Sequence, residues 1–523
     1  MRKRRPWITL SMAAALAATF TQATGGATAT AADPAPGVTD LVQDLDRLLG
    51  DPRLVVAGSG LVVRSAATGE QLYAKDAGKV LAPASNTKLL TSAAAVDTLG
   101  LDYRFTTSVL SAGRRAGATL TGDLYLKGTG DPTMLASDYD ALAAKVASAG
   151  VKVVTGRLVA DDTWFDASRL GTDWAQDDEP YYYAAQISAL TAAPDTDYDA
   201  GSLIVSVAPG GAQGSPAKVS TTPETDHVTI ENHATTGTKT DVAVTREHGT
   251  NTIVVTGTVA GAGAYDEWIA VDDPTGYAAS LFRKALTRHG VRVLGRTSRG
   301  AAPATATSVA TRASMPLREL LVPFMKLSNN MHAEILTKAM GRKVSGAGGW
   351  SAGLAVTRAF AAANGVKALS LRDGSGLSRA DGVTPGELTA YLIALRAKPW
   401  FPAWYDALPV AGVSDRLTGG TLRGRMAGTP AAGNVHAKTG SLTGVSGLSG
   451  YVTGADGEPL VFSILTNNYL SASPKDFEDA VAVRLARFSR TTPADATGAL
   501  RSADPRQAPD GDLECSWRKP APC

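Results

Sequence analysis

The 523-residue sequence contains only two cysteines, Cys515 and Cys523, and six scattered histidines. Both cysteines lie at the end of the sequence, so they could close a small disulfide loop but cannot cross-link the main body. The histidines have no metal-ligand spacing and no cysteine beside them, so we expect neither a metal site nor another cofactor. Lys and Arg number 51 against 49 Asp and Glu, a near balance that does not favour a nucleic-acid partner.

The N-terminal residues have the pattern of a secretory signal peptide. Cations between Met1 and Arg5 precede an uncharged apolar run, Trp7 to Phe20, and small residues follow this run. We predict that cleavage near Ala31 gives a secreted, extracytoplasmic protein. The apolar run is shorter than the ~20 residues that a membrane span needs, so no transmembrane span is expected after cleavage.

The ends and the middle of the chain differ in character, which predicts several domains. Strand and helix patterns occupy 32–105 and 265–490, and these two parts are predicted to form one discontinuous catalytic domain of α/β (α+β) class. Short alternating runs of Val, Thr, Gly and Asp in 106–264 predict a mostly-β insertion. Residues 1–31 are the predicted signal peptide, and the polar composition of 491–523 predicts a flexible tail.

The stretch "LAPASNTKLLTSAAAV" places Ser85 and Lys88 three residues apart at the start of a predicted helix that stops at Gly100. A serine hydroxyl is a weak nucleophile until a base takes its proton. One helical turn brings both side chains to one face, and burial beside a second cation would lower the pKa of Lys88 enough to make it that base. Two other Ser-x-x-Lys pairs lie outside any predicted helix: Ser215/Lys218 and Ser516/Lys519.

Two later motifs complete a possible acyl-transfer site. Ser328-Asn329-Asn330 lies inside a pattern that predicts one helix from Leu317 to Lys338, and Lys438-Thr439-Gly440-Ser441 lies on a predicted strand. The backbone N–H groups of Ser85 and Ser441 are the candidate donors to an oxyanion. Lys438, Thr439 and Ser441 could hold a substrate carboxylate by charge-assisted hydrogen bonds.

Together and in this order, the three motifs resemble those of penicillin-binding proteins and β-lactamases. An interval of 243 residues separates Ser85 from Ser328, but only 110 residues separate Ser328 from Lys438. So large an insertion resembles the class C low-molecular-mass penicillin-binding proteins, a family of D-Ala-D-Ala carboxypeptidase/endopeptidases. The likeness covers about 38–488 and includes the segments "GTGDPTM", "YYYAAQISAL" and "DGSGLSR".

The resemblance implies a helix-flanked antiparallel sheet of the β-lactamase/transpeptidase type, with two small domains nested in the insertion. It implies that Ser85 forms an acyl-enzyme with peptidoglycan stem peptides at the cell wall, and that β-lactam antibiotics acylate the same serine. In the family pattern Lys88 is the base, Ser328 relays a proton, Asn330 holds Lys88 and the substrate amide, and Lys438 supplies positive charge. Thr439, Gly440 and Ser441 would bind substrate. The balance of carboxypeptidase and endopeptidase activity stays open.

Other functions fit parts of the sequence. A β-lactamase shares the motifs, and Glu387 is the candidate for the extra glutamate that its deacylation requires. The segment Gly349 to Gly353 matches a nucleophile elbow around Ser351, followed by Asp373 and His436, although we expect Ser351 to be a helix N-cap.

A non-catalytic cell-wall binding protein is the third alternative. The complete set of catalytic motif residues argues against it. The inserted segment "TDWAQDDEPYYY", Thr172 to Tyr183, is expected to be a solvated loop with tethering aromatics rather than a contact for the stem peptide.

Overall fold

The structure is a computed structural model that describes residues 35–261, 263–470, 472–491 and Lys519. The predicted signal peptide and the possible Cys515–Cys523 loop lie outside the described residues, as does most of the predicted tail. Among the described residues, no helix is both long enough and apolar enough to cross a membrane.

The described residues form twenty-one strands. In chain order they are β1 (Gly58–Ser65), β2 (Gln71–Lys75), β3 (Thr106–Ser111), β4 (Arg115–Ala116), β5 (Thr119–Leu120), β6 (Leu124–Gly128), β7 (Val153–Val154), β8 (Leu158–Asp161), β9 (Ser202–Ala208), β10 (Lys218–Thr222), β11 (Thr229–Asn232), β12 (Thr235–Thr236), β13 (Asp241–Arg246), β14 (Thr252–Val259), β15 (Tyr265–Ala270), β16 (Arg292–Val293), β17 (Thr297–Arg299), β18 (Thr307–Ala313), β19 (His436–Leu442), β20 (Val445–Thr453) and β21 (Pro459–Asn467).

The same residues form eleven α-helices. They are α1 (Pro36–Leu49), α2 (Thr87–Leu99), α3 (Ala136–Ser148), α4 (Pro274–Arg288), α5 (Leu317–Lys326), α6 (Asn330–Ser345), α7 (Trp350–Ala363), α8 (Pro385–Leu395), α9 (Phe401–Asp406), α10 (Arg416–Gly419) and α11 (Lys475–Ala486).

A five-stranded antiparallel sheet in the order β19-β20-β21-β1-β2 joins the two ends of the chain. The strand that the sequence predicts at Lys438 is confirmed as β19. Successive side chains of a strand point to opposite faces. On β21, Leu460, Phe462 and Ile464 pack in one apolar core, whereas Val461 and Leu465 pack in another. Both faces of this central sheet are therefore buried.

Helices cover each face of the central sheet. Leu41 and Leu45 of α1 and Val481 and Leu485 of α11 share one core with Phe462. The opposite core is larger and contains buried residues of α2, α5, α6, α7 and α8. This helix-flanked antiparallel sheet is the fold that the resemblance implies. The Ser85 and Ser328 motifs lie on the side of the sheet with the larger, helix-rich core.

Strands β3 to β18, with α3 and α4, form four further sheets around a shared core. Strand β18 pairs with β3, and β16 and β17 pair with β7 and β8. The sequence placed the end of the insertion at residue 264, but these pairings tie the strands up to Ala313 to the inserted sheets. The domain limits remain a prediction, and the pairings favour an end near Ala313.

The helix predicted from Leu317 to Lys338 is wrong in its continuity, because the chain breaks it into α5 and α6. Ser328 adopts a positive φ of 58°, a conformation outside the right-handed helix. The Asn329 side chain then caps α6 by accepting a hydrogen bond from His332 N at 3.1 Å. The second motif therefore lies at the junction between α5 and α6.

We expect Phe462→Ala to destabilise the catalytic half of the protein, because Phe462 is fully buried between the central sheet, α1 and α11. The loss should be about 3–5 kcal/mol, the usual cost of truncating a buried phenylalanine. Chemical denaturation measures it, with Leu470→Ala as the control because Leu470 is 83% exposed. Equal midpoints for the two variants would contradict this packing.

Candidate active site

Ser85 lies in a 3-10 turn, Ala84–Asn86, directly before α2. Ala84 has a positive φ of 47°, which is uncommon for a residue with a Cβ atom, and strained backbone of this kind is frequent at functional sites. The Ser85 side chain does not cap α2. Its hydroxyl points instead to Lys88, the second residue of α2. The two side chains therefore share one face, as their spacing at the predicted helix start implies.

Lys88 is completely buried, and three oxygen atoms of other described residues lie within hydrogen-bond distance of it. Its Nζ lies 2.7 Å from Ser85 Oγ, 2.6 Å from Asn330 Oδ1 and 2.9 Å from the Ser375 carbonyl oxygen. The amide and carbonyl oxygens only accept hydrogen bonds, whereas the hydroxyl can also donate. A neutral amine has two hydrogens for the two acceptors and a lone pair for the hydroxyl proton.

The orientation of the Asn330 amide is fixed from its other end. Asn330 Nδ2 donates a 2.8 Å hydrogen bond to the carbonyl oxygen of Tyr183, which leaves Oδ1 for Lys88. Asn330 is the first residue of α6 and is buried. The inserted "YYY" segment therefore determines which Asn330 atom faces the lysine.

Lys438 forms the other half of the site. Its Nζ lies 2.8 Å from Ser328 Oγ and 2.9 Å from the Thr439 carbonyl oxygen. Thr439 Oγ1 donates to Thr421 Oγ1 at 2.8 Å. The structure thus brings all five predicted catalytic residues together: Ser85 and Asn330 contact Lys88, and Ser328 contacts Lys438. Their catalytic roles remain predictions.

Gly440 allows β19 to lie directly against the turn that carries Ser85. A Cβ atom on Gly440 would lie 2.6 Å from the Pro83 carbonyl oxygen, 2.7 Å from Asn86 Nδ2 and 3.2 Å from Ser85 N. Any larger residue would therefore push the strand away. The next residue, Ser441, pairs with Ser446 of β20 and is buried. This close approach puts the backbone of Ser441 beside the turn that carries Ser85. The N–H groups of these two residues, which are the predicted oxyanion donors, must lie near each other to bind one oxygen atom.

The sequence analysis missed the loop that holds Lys88 from behind. Glu334 of α6 accepts hydrogen bonds from Gly374 N at 2.9 Å and from Ser375 N at 2.7 Å. It also accepts one from Trp350 Nε1 at 2.7 Å. Because the Ser375 carbonyl lies against Lys88, Glu334 positions that lysine through the loop. An acid inside the predicted helix, four residues after Asn330, was a signal in the sequence.

Three buried carboxyl groups organise this loop. Asp373 accepts hydrogen bonds from Gly376 N and Ser378 N, both at 2.7 Å. Burial, followed by the charge of Asp373, raises the pKa of Glu334 to about 7. The same two causes raise the pKa of Asp381 well above its usual range. The raised pKa favours the neutral form of Asp381, which lowers the repulsion between the three groups.

The nucleophile elbow around Ser351 is not assembled. Ser351 follows a helix, α6, and not the strand that such an elbow requires. The expectation that Ser351 caps α7 is also wrong, because Gly349 is the N-cap residue. Asp373 is engaged by backbone N–H groups, and the His436 ring stacks on Tyr405 with a centroid distance of 4.3 Å.

Glu387 lies at the start of α8 and is engaged in a local contact. Its carboxylate accepts hydrogen bonds from the N–H groups of Lys367 and Ala368, of which the shortest is 2.9 Å. It is not among the residues that contact Ser85 or Lys88.

The segment Thr172 to Tyr183 is tethered by its aromatic residues, as expected. Trp174 Nε1 donates to Asp373 Oδ2 at 2.9 Å, and the Tyr183 hydroxyl donates to Asp178 at 2.9 Å. Tyr182 and Tyr183 are buried in a cluster that includes Ala84 and Leu442. The segment therefore forms part of the wall beside the nucleophile turn.

We expect Gly440→Ala to lower the rate at which benzylpenicillin acylates the protein by about 100-fold or more, because the added Cβ separates β19 from Ser85. The loss corresponds to removing one oxyanion donor, about 2.7–4 kcal/mol. Intact-mass spectrometry over time gives the rate. Gly78→Ala is the control, since a Cβ at Gly78 meets no atom within 4 Å. A normal rate in Gly440→Ala would refute the close approach.

Glu334→Ala should slow acylation at least about tenfold, because two buried N–H groups lose their acceptor and the Ser375 carbonyl is no longer held against Lys88. Glu334→Gln keeps one acceptor oxygen and should fall between this variant and the wild type. Glu319→Ala removes an exposed acid of α5 and serves as the control. The pH dependence of the rate must also change in Glu334→Ala; an unchanged rate and pH profile would exclude the positioning role.

Comparisons with known proteins identify the family of the chain. The model of the D-Ala-D-Ala carboxypeptidase 3 (S13) family matches residues 41–488. A D-alanyl-D-alanine carboxypeptidase from Actinomadura sp. (strain R39) is 46% identical over 489 residues, which are 92% of this chain and 90% of the relative.

Solved structures give the same fold. The crystal structure of penicillin binding protein 4 (dacB) from Haemophilus influenzae has a TM-score of 0.74 at 24% identity and covers 86% of this chain and 99% of its own. A structure of the same protein complexed with a novel β-lactam has a TM-score of 0.68 at 24% identity and covers 86% and 98%. The predicted fold class and the resemblance to class C low-molecular-mass penicillin-binding proteins are thus confirmed, and the chain belongs to the D-Ala-D-Ala carboxypeptidase 3 (S13) family of serine peptidases.

Proposed function

We propose that this protein is a serine D-alanyl-D-alanine carboxypeptidase that removes the terminal D-alanine from peptidoglycan stem peptides. The observation that carries the proposal is the shared contact of Lys88 with Ser85 Oγ, Asn330 Oδ1 and the Ser375 carbonyl. Membership of the family and the identity with the Actinomadura carboxypeptidase support the substrate class.

In the first step Ser85 Oγ attacks the carbonyl carbon of the penultimate D-alanine, and its proton passes to Lys88 Nζ. Burial of Lys88 disfavours the charged amine, so a neutral Lys88 is available to accept this proton. The carbonyl oxygen becomes negative and is stabilised by the N–H groups of Ser85 and Ser441. One such donor typically contributes ~2.7 to 4 kcal/mol to the stabilisation of the transition state.

In the second step the bond to the leaving nitrogen breaks and that nitrogen needs a proton. Ser328 Oγ delivers it and takes in return the proton held by Lys88, so that Lys88 is a neutral amine again. Lys438 lies 2.8 Å from Ser328 Oγ and stays charged. D-Alanine departs and the ester on Ser85 remains. Water then attacks the ester with Lys88 again accepting the proton, so that the acid product leaves and Ser85 is restored.

The free carboxylate of the substrate is recognised at β19. Lys438 supplies positive charge, and the hydroxyl groups of Thr439 and Ser441 donate hydrogen bonds. A penicillin offers a carboxylate and a strained amide in the same arrangement, so it acylates Ser85. The β-lactam complex of the Haemophilus protein, which shares the fold, is compatible with this part of the proposal.

D,D-Endopeptidase and β-lactamase activities are chemically related to the proposed carboxypeptidase reaction. D,D-Endopeptidase action uses the same acyl-enzyme with a peptide amine as the leaving group, so the site residues serve both reactions. A β-lactamase of the class that uses a glutamate needs that group at the deacylating water, and Glu387 is held instead by Lys367 and Ala368.

The substrate class also determines where the protein must act. Peptidoglycan lies outside the cytoplasmic membrane, and the predicted signal peptide leads there. We therefore place the proposed activity in the extracytoplasmic cell-wall compartment.

We expect one benzylpenicillin molecule to add to the wild-type protein and none to Ser85→Ala, since Ser85 supplies the only acylated oxygen of the mechanism. Intact-mass spectrometry followed by peptide mapping tests this, with Ser351→Ala as a control that keeps the adduct. Release of D-alanine from an acyl-D-Ala-D-Ala peptide must disappear with the adduct. Hydrolysis of a stem peptide by Ser85→Ala would overturn the proposal.

A further inference from the structure

Asn86 directly follows Ser85, and its side chain is buried against the central sheet. It is the N-cap residue of α2, yet its side chain makes no capping hydrogen bond. Asparagine is among the residues that cap helices best, and this contact is not made here. Only 1% of Asn86 is exposed. Another contact must therefore account for the buried amide.

The amide of Asn86 closes the turn that carries Ser85. Asn86 Nδ2 donates to the Pro83 carbonyl oxygen at 3.3 Å, and Asn86 N donates to the same oxygen at 3.1 Å. Ser85 lies between these two residues. A displacement of the Asn86 side chain would therefore move the turn and, with it, the N–H group of Ser85.

Two glycines of the central sheet make room for the Asn86 side chain. Gly440 of β19 and Gly447 of β20 are directly paired, so side chains at these two positions would lie on the same face of the sheet. A Cβ atom on Gly440 would lie 2.7 Å from Asn86 Nδ2, and one on Gly447 would lie 2.9 Å from the same atom. We call this pair of positions the glycine notch. The Asn86 amide occupies it.

A buried amide at this position is unfavourable for folding. Asn86 Oδ1 is buried and has no hydrogen-bond partner among the residues that the structure describes. An unsatisfied acceptor destabilises the folded protein, and an apolar side chain would avoid that penalty. Natural proteins break such rules mainly at functional sites. The position of Asn86 next to the nucleophile therefore favours a role in the site over a role in stability.

The glycine notch lies between the two predicted oxyanion donors. Ser441 follows Gly440 on β19, and Ser85 N lies 3.2 Å from the Cβ position of Gly440. Both N–H groups must point at one oxygen atom, so the spacing between the turn and the strand decides whether they can bind it. We propose that Asn86 is a positioning residue that sets this spacing through its contact with the glycine notch. The effect on catalysis rests on the proposed function, whereas the contact itself does not.

The positioning role is tested by the rate at which benzylpenicillin acylates full-length variants. Asn86→Ala should lower the rate constant at saturation by about tenfold or more, because a misplacement of about 1 Å can cost about 100-fold. The penicillin concentration that gives half of this rate should change little, since the amide does not bind the carboxylate. Asn364→Ala, which removes an amide at the end of α7, is the control. A wild-type rate in Asn86→Ala would overturn the role.

A second test asks whether Asn86 acts through the notch. Gly447→Ala should slow acylation because the added Cβ displaces the Asn86 amide; its other close neighbour, a Leu465 methyl group, ends a flexible side chain. Asn86→Ala/Gly447→Ala should react faster than Gly447→Ala, since loss of the amide leaves room for the new methyl group. Asn86→Ala should not rescue Gly440→Ala, because a Cβ there still lies 2.6 Å from the Pro83 carbonyl oxygen. Effects that simply multiply in the Asn86/Gly447 pair would overturn the proposal.

The contact has a separate readout that needs no activity. Chemical denaturation of the wild type, the two single variants and the double variant at positions 86 and 447 should show a double variant more stable than the sum of the single effects predicts. If the wild type forms no adduct at Ser85 while this coupling is present, the proposed function fails and the contact stands. If Ser85 is acylated and the rates show no coupling, the positioning role fails and the proposed function stands.

Discussion

The hydrogen bonding of Lys88 is the constraint on which the rest of the site depends. Within the part of the chain that the structure describes, its nitrogen contacts one hydroxyl and two oxygens that only accept, and each of the three comes from a different segment. A neutral amine satisfies all three contacts and is a base for the hydroxyl. The 3-10 turn at Ser85, the capped start of α6 and the loop at Ser375 are all arranged around this single atom.

The fold supplies this arrangement through close backbone contacts. Strand β19 approaches the Ser85 turn because position 440 has no side chain. Ala84, the residue before Ser85, and Ser328 both adopt positive φ angles, so each of the two serines lies at a sharp corner of the backbone just before a helix. Strain of this kind persists only in a well-packed setting. The helix-rich core on one face of the central sheet provides that setting.

Three features could be predicted from the sequence: the motifs, the central sheet and the helix at Ser85. Each depends on a short-range pattern, namely residue spacing, alternation of apolar and polar residues, or a helix start signal. The break in the helix before Asn330 could not be predicted. The apolar periodicity continues through Ser328, so the sequence gives no sign that this residue has a left-handed backbone conformation. Glu334 and Ser375 act through the backbone of a loop, and only tertiary contacts reveal such a role. Strand β18, which was predicted to belong to the catalytic domain, pairs with β3 across the 196 residues between Ser111 and Thr307, and so distant a partner leaves no local signal in the sequence.

Neutron diffraction from the resting protein above about pH 8 tests the central claim most directly, because it locates the hydrogen atoms around Lys88. The account predicts two deuterons on Nζ, directed to Asn330 Oδ1 and the Ser375 carbonyl, and the Ser85 deuteron directed at Nζ. Three deuterons on Nζ, with the Ser85 hydroxyl turned to another acceptor, would contradict it.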